Sequence, residues 1–183
     1  MKYMLRTKDI LDEKDPRVRA KNTDVDFPLN DEYKDIIPEM LKHLRYSQIE
    51  KLSKKYDLRP GMGLAAPQLG INKNFFVVCY EVKDGVFDDY ILINPKVISY
   101  SEEMIYAGEG EGCLSVNREV EGIVPRHARI TVEAYDLDGN KRKYRVREDL
   151  AIAFQHELDH LNGILFVDYI DPKDPYKNAD LYR

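Results

Sequence analysis

The stretch FQHELDHLNG, Phe154–Gly163, constrains this chain more than any other. It repeats histidine at a spacing of four with a glutamate directly after the first, the HExxH pattern. Residues four apart on a helix stack on one face, so His156 and His160 can present two imidazoles to one ion. Glu157 is then offset enough to reach a water beside that ion. From Glu148 to Leu161 the spacing predicts a helix, with acids in the first turn, where the dipole favours them, and Gly163 as the C-terminal stop. A five-residue pattern can also arise by accident on an amphipathic helix carrying two exposed histidines. The rest of the chain must therefore decide.

A third ligand sets the chemistry. One group of zinc proteases extends the pattern to HExxHxxGxxH. Here Gly163 fits, but the last position is Phe166, which cannot bind a metal. Another group takes a downstream glutamate, and from Leu161 to Arg183 there is none. His43, on the expected first helix, and His127, at a strand start, read as solvated surface. The third ligand is expected upstream, soft or imidazole-like. In GEGEGCLSV, residues 108–116, the alternating glycines that lead into Cys113 let the backbone approach something closely. A thiolate with two neutral imidazoles is a tetrahedral set with the fourth place open. Taken alone, Cys113 reads as a small core residue; joined to the helix pair, it reads as a ligand. A third segment, GMGLAAPQ at Gly61–Gln68, lacks the Lys-Ser/Thr ending of a Walker loop. Its glycines and alanines suit a backbone that a ligand must approach, and Gln68 offers an amide donor that can polarise a carbonyl. On its own it would be a turn before a strand.

A chain of 183 residues fits a single domain, 1–183, large enough to bury a core. No apolar run approaches the roughly 20 residues of a membrane span. The start, MKYMLRTKDILDEKDPR, is too charged for a signal peptide, so a cytoplasmic protein is expected. The net charge of −5 argues against a surface built for tight nucleic-acid binding, though not against a local basic patch. Two cysteines make no disulfide framework, and Cys79, in the apolar run FFVVCY, reads as a buried, inert thiol.

Residues 1–30 carry few periodic signals and are expected to wrap the body. Ile36, Ile37, Met40, Leu41, Leu44, Ile49 and Leu52 recur at helical spacing after a cap at Asn30 or Asp31. Pro38 is expected to kink this helix or restart it, and RPG at 59–61 to follow its end. Strands are predicted over Asn74–Val82, Tyr90–Ser99 and Met104–Tyr106. Ala128–Leu137 and Lys141–Val146 flank Asp138-Gly139-Asn140 as a hairpin. Strands segregated between two helices indicate an α+β fold.

Together, GMGLAAPQ, Glu111–Ser115 and His156–His160 resemble the peptide deformylase family, whose pattern has GxGxAAxQ, EGCxS and HExxDH segments in this order. Asp159 matches too, which generic zinc proteases do not require. The likeness covers about residues 60–170, and three ordered motifs make a chance match improbable. It implies an α+β fold with antiparallel sheets surrounding the metal-binding helix. It also implies removal of the formyl group from N-formylmethionine of nascent polypeptides, with release of formate. Carried over, it makes Cys113, His156 and His160 the ligands of one divalent ion and Glu157 the acid/base. The oxyanion falls to Gln68 and the Leu114 N–H. The ion it implies is Fe²⁺, for which Zn²⁺, Ni²⁺ or Co²⁺ can substitute. Extra sequence before GMGLAAPQ and within 117–122, and an end soon after FVDYI without a long C-terminal helix, match the branch common in Gram-positive bacteria. That shortened end leaves open how any transient ribosome contact would be made.

Substrate is expected to bind by strand addition, its backbone pairing with Met62–Gly63 and Gly112. Ile152 and Ala153 share the helix face of His156 and, with Met62, are candidates for the methionine pocket; core packing would serve them equally. Glu111 and Arg126 are expected, from the resemblance, to form a supporting ion pair. Two other classes are a metallopeptidase, which needs a cleft open on both sides, and a binding module, which needs neither Glu157 nor Gln68.

Overall fold

A computed structural model describes residues 4–182. Its helices are α1 (Asp31–Ser47), α2 (Glu50–Tyr56) and α3 (Glu148–Leu161). Its strands are β1 (Gly63–Ala65), β2 (Phe75–Lys83), β3 (Val86–Tyr100), β4 (Met104–Ile105), β5 (Arg126–His127), β6 (Arg129–Tyr135) and β7 (Lys141–Arg147). Their ladders are antiparallel and make a five-stranded sheet, β1-β2-β3-β6-β7, and a β4-β5 pair. The fold is α+β, and α3 touches strands of both sheets.

Strand β2 explains where the core lies. Phe75, Val77 and Cys79 point to one face and pack with Ile37, Met40, Leu41 and Leu44 of α1. Phe76 and Val78 point to the other and pack with Ala151, Phe154 and Leu161 of α3. A strand covered on both faces reads as an unbroken apolar run, which is what FFVVC is. Phe154 meets Phe76 edge-on at 5.7 Å between ring centroids. Each fully buried side chain of this size contributes about 1.5–3 kcal/mol, so α3 is fixed on the sheet by its apolar face. Its other face is left for the site.

Several expectations change in detail. Helix α1 runs through Pro38 without interruption, and the break comes later, where Ile49 takes an extended conformation ahead of α2. Pro38 and Lys34 are both exposed, so water can serve the carbonyl that proline leaves without a donor. The segment read as a loop contains β1, which pairs Gly63 with Val78 and Ala65 with Phe76. Three residues are too few to show a period. Strand β3 starts before Tyr90 because Asp84-Gly85, with Gly85 at φ 75°, turns β2 into it as a hairpin.

The two outlying histidines are not on solvated surface. His43 is 1% exposed on the inner side of α1, with Nδ1 2.9 Å from the Leu5 carbonyl. His127 is half-buried, its ring tilted against that of Tyr100 at 4.4 Å between centroids, with Nδ1 2.7 Å from the Ser101 carbonyl. In each case a backbone carbonyl satisfies the ring and permits its burial.

The N-terminal segment does wrap the body. Leu5, Ile10, Val18, Val25 and Leu29 are buried, while residues 1–3 of that expectation lie outside the described residues. The Leu11 N–H donates to the Gln68 carbonyl at 2.8 Å and the Glu13 N–H to the Ser115 carbonyl at 2.7 Å. This segment therefore braces both loops that carry site residues. No helix among the described residues is long and apolar enough to cross a membrane.

Candidate active site

Helix α3 delivers His156 and His160 to one spot, and the loop after β4 brings Cys113 to meet them. The three donor atoms lie within 4.8 Å of one another, with Cys113 Sγ 3.3 Å from His160 Nε2. His156 Nδ1 is 2.8 Å from Glu111 Oε1, which commits that nitrogen and leaves Nε2 for an ion. A carboxylate on the far nitrogen is the usual way to orient an imidazole ligand. Burial lowers the His160 pKa well below the ordinary imidazole range, which favours the neutral ring a ligand needs. Against burial, the Cys113 and Glu111 contacts raise that of His156 well above it, and a bound ion would displace that proton. The residues present therefore fit one divalent ion.

Beneath them lies a buried ionic cluster. Arg126 of β5 grips Glu111 through two parallel bonds, Nε to Oε2 at 2.8 Å and Nη2 to Oε1 at 2.9 Å. Its Nη1 donates to Asp159 Oδ2 at 2.6 Å, and the Tyr169 hydroxyl donates to the same oxygen at 2.8 Å. Burial raises the Glu111 carboxyl, but the bonds from Arg126 and His156 outweigh it and hold it below the ordinary value. The ion pair expected from the resemblance is present, and it reaches Asp159 as well.

Glu157 is 3% exposed, with Oε1 3.9 Å from His156 Nε2 and Oε2 without a hydrogen-bond partner among the described residues. Burial pushes its carboxyl up to about 7. Gly63 makes room for it: a Cβ there would lie 2.7 Å from Glu157 Oε1. Gln68 is fully oriented, its Oε1 accepting from the Ala65 N–H at 2.9 Å and its Nε2 donating to Ser115 Oγ at 3.0 Å. That same Nε2 is 3.7 Å from Cys113 Sγ, so the amide is aimed into the ligand group.

One cavity of about 750 Å³ gathers the rest. Met62, Gly63, Gly112, Leu114, Ile152 and Ala153 all line it together with Cys113, His156 and Glu157. Gln68 lies behind this lining, reaching the site through its amide. Sequence reasoning assigned no role to Ser115, which holds the Gln68 amide, or to Tyr169, which caps Asp159. The serine was visible in the EGCxS pattern; nothing in the sequence tied Tyr169 to Arg126.

The α+β fold thus brings together a Cys-His-His group that could hold a metal ion, a buried carboxyl and an amide donor at one cavity-side site. The model of the family described as "Polypeptide deformylase" matches residues 7–176. A peptide deformylase of Macrococcus caseolyticus is 50% identical over 175 residues, covering 95% of each chain. Peptide deformylase 2 of Bacillus anthracis is 45% identical over 177 residues, covering 97% of this chain and 96% of its own. The crystal structure of a probable peptide deformylase from Synechococcus phage S-SSM7 superposes with a TM-score of 0.73. It is 35% identical and covers 88% of this chain and 98% of its own. The chain belongs to the polypeptide deformylase family.

Proposed function

We propose that Cys113, His156 and His160 hold one divalent ion, Fe²⁺ in the cell, and that Glu157 is the acid/base that hydrolyses the formyl amide. The substrate is N-formylmethionine at the start of a nascent polypeptide, and the products are formate and a free amine. Family membership carries the activity. Cys113 and His156 share one cavity with a carboxyl near pKa 7, and His160 lies beside them, which supports the roles given to these residues.

An ion bound by this donor set supplies a Lewis acid, which acidifies water and polarises a carbonyl. Glu157 takes the proton from the attacking water and returns it to the amine nitrogen, since an amide leaves poorly unless protonated. A carboxyl whose pKa lies near the working pH suits both transfers. The Gln68 amide and the Leu114 N–H hold the formyl oxygen as charge grows on it. Met62, Ile152 and Ala153 receive the methionine side chain. The substrate backbone adds to Met62–Gly63 and Gly112, which is favoured by β1 standing at the edge of the sheet.

The iron assignment draws on the family resemblance and on donor chemistry, since thiolate and imidazole suit Fe²⁺ as well as Zn²⁺. Residues 1–183 act as one catalytic unit in the cytoplasm, with only transient ribosome contact. The test is formate release from formyl-Met peptides on protein of measured metal content. Acetyl-Met peptides and internal peptide bonds should resist. Cutting of unmodified proteins would favour a peptidase instead.

A further inference from the structure

We propose that Arg59 is a positioning residue for this reaction: it pins the Cys113–Leu114 peptide and thereby aims the Leu114 N–H at the formyl oxygen. The proposal rests on the reading of that N–H as an oxyanion donor. Arg59 Nη2 donates to the Cys113 carbonyl at 2.6 Å, and the Val116 N–H donates to the same oxygen at 3.0 Å. A trans peptide is planar, so its N–H points opposite its carbonyl. Two donors that fix the carbonyl therefore fix the direction of the Leu114 N–H. A cationic donor on the oxygen also polarises the peptide, making its N–H a stronger donor.

Arg59 is itself held. Its Nη1 donates to Asn117 Oδ1 at 3.2 Å, and Asn117 Nδ2 donates to Asp12 Oδ2 at 2.8 Å. Among the described residues, both groups to which Arg59 donates are neutral, so its charge is directed at the peptide. The other side of the same peptide is fixed two residues along. A Cβ on Gly61 would lie 2.8 Å from Leu114 Cδ1, so the Leu114 side chain rests directly on the Gly61 backbone. The RPG segment at 59–61 thus grips Cys113 and Leu114 together, one through its carbonyl and the other through its side chain. Arg59 also lines the cavity, which makes a direct substrate contact the competing role.

Steady-state formate release separates the two roles in wild type, Arg59→Met, Arg59→Lys and Gln68→Leu proteins, with metal content and urea midpoint measured alongside. Arg59→Met should lower kcat by about 10-fold, less than the roughly 10²–10³-fold for deleting an oxyanion donor outright. KM, metal content and unfolding midpoint should stay near wild type, because Arg59 is an exposed residue. Arg59→Lys, which keeps a cationic donor, should recover most of the kcat. An unchanged kcat, or a loss confined to KM, overturns the positioning role. So does a lysine variant no better than the methionine one. Wild type that releases no formate would overturn the function reading itself, while Gln68→Leu calibrates the loss from deleting a donor, and an Arg59→Met loss as large as that one would overturn an indirect, positioning role.

Discussion

Glu157 sits beside the His156 ring in a setting that suits the acid/base role proposed for it. It is buried, one oxygen has no hydrogen-bond partner among the described residues, and its pKa is pushed up to about 7 chiefly by burial. Glu157→Gln keeps shape and size but cannot accept a proton. Turnover should fall by roughly 10²–10⁴, the usual contribution of a positioned acid/base, while metal content is unchanged. Formate assays on metal-quantified protein check this, and near-normal kcat would remove Glu157 from the chemistry. The glutamate and both histidines were legible in the sequence because a helix converts spacing into geometry. Cys113 was legible by elimination of other ligands, by its glycine-rich setting and by the EGCxS match. Arg59 was not, since its partner, the Cys113 carbonyl, lies 54 positions away and has no sequence signature.

At the scale of elements, the two-residue strand β5 does more than its length suggests, because Arg126 joins the Cys113 loop to α3 through Glu111 and Asp159. The Arg126 and Glu111 side chains are 3% and 5% exposed, so removing the guanidinium strands a carboxylate without its counter-charge. Arg126→Met should cost about 3–5 kcal/mol, read from urea unfolding. A cost under about 1 kcal/mol, the value of an exposed pair, would show the cluster to be dispensable. Helix α1 offers a pH-dependent counterpart. Burial lowers the His43 pKa below its ordinary 6.5, so the folded state holds the ring neutral while the unfolded chain protonates below that value. The neutral ring's contribution is full above pH 6.5 and is lost as pH falls toward the lowered folded value. The slope is at most about 1.4 kcal/mol per pH unit. His43→Gln, which keeps a donor for the Leu5 carbonyl, should flatten stability against pH just below 6.5; an unchanged slope would place the titration elsewhere. Strong periodicity made α3 and the β6–β7 hairpin readable. Strand β1 escaped because its pairing is decided by β2, and Pro38 misled because an exposed helix face tolerates a missing donor.

For the molecule as a whole, the Cys113, His156 and His160 group would be a crosslink once it held an ion. Cys113 belongs to a loop braced by the N-terminal segment, and the histidines belong to a helix bound to the sheet. An ion held by all three ties these parts together only when the chain is folded. Chelation should therefore lower Tm, and restoring the ion should raise it with concentration, by about 2.7 kcal/mol of stability at 100 times Kd. The two cysteines provide the control. Cys79 is fully buried in β2, and burial pushes its thiol up to about 12, so it neither ionises nor reaches an ion. Cys79→Ser should leave metal content unchanged, at some cost in core packing, whereas Cys113→Ser should lose metal and, with it, the response of Tm to chelator. Raw affinity generally favours zinc over iron, so zinc in purified protein would not identify the working ion. Anaerobic loading with Fe²⁺ should give the higher activity, and peroxide should abolish it irreversibly if the Cys113 sulfur is carried up the oxidation ladder. Stoichiometric metal in Cys113→Ser, together with an undiminished chelator effect on Tm, would break the three-ligand assignment while leaving the family membership intact.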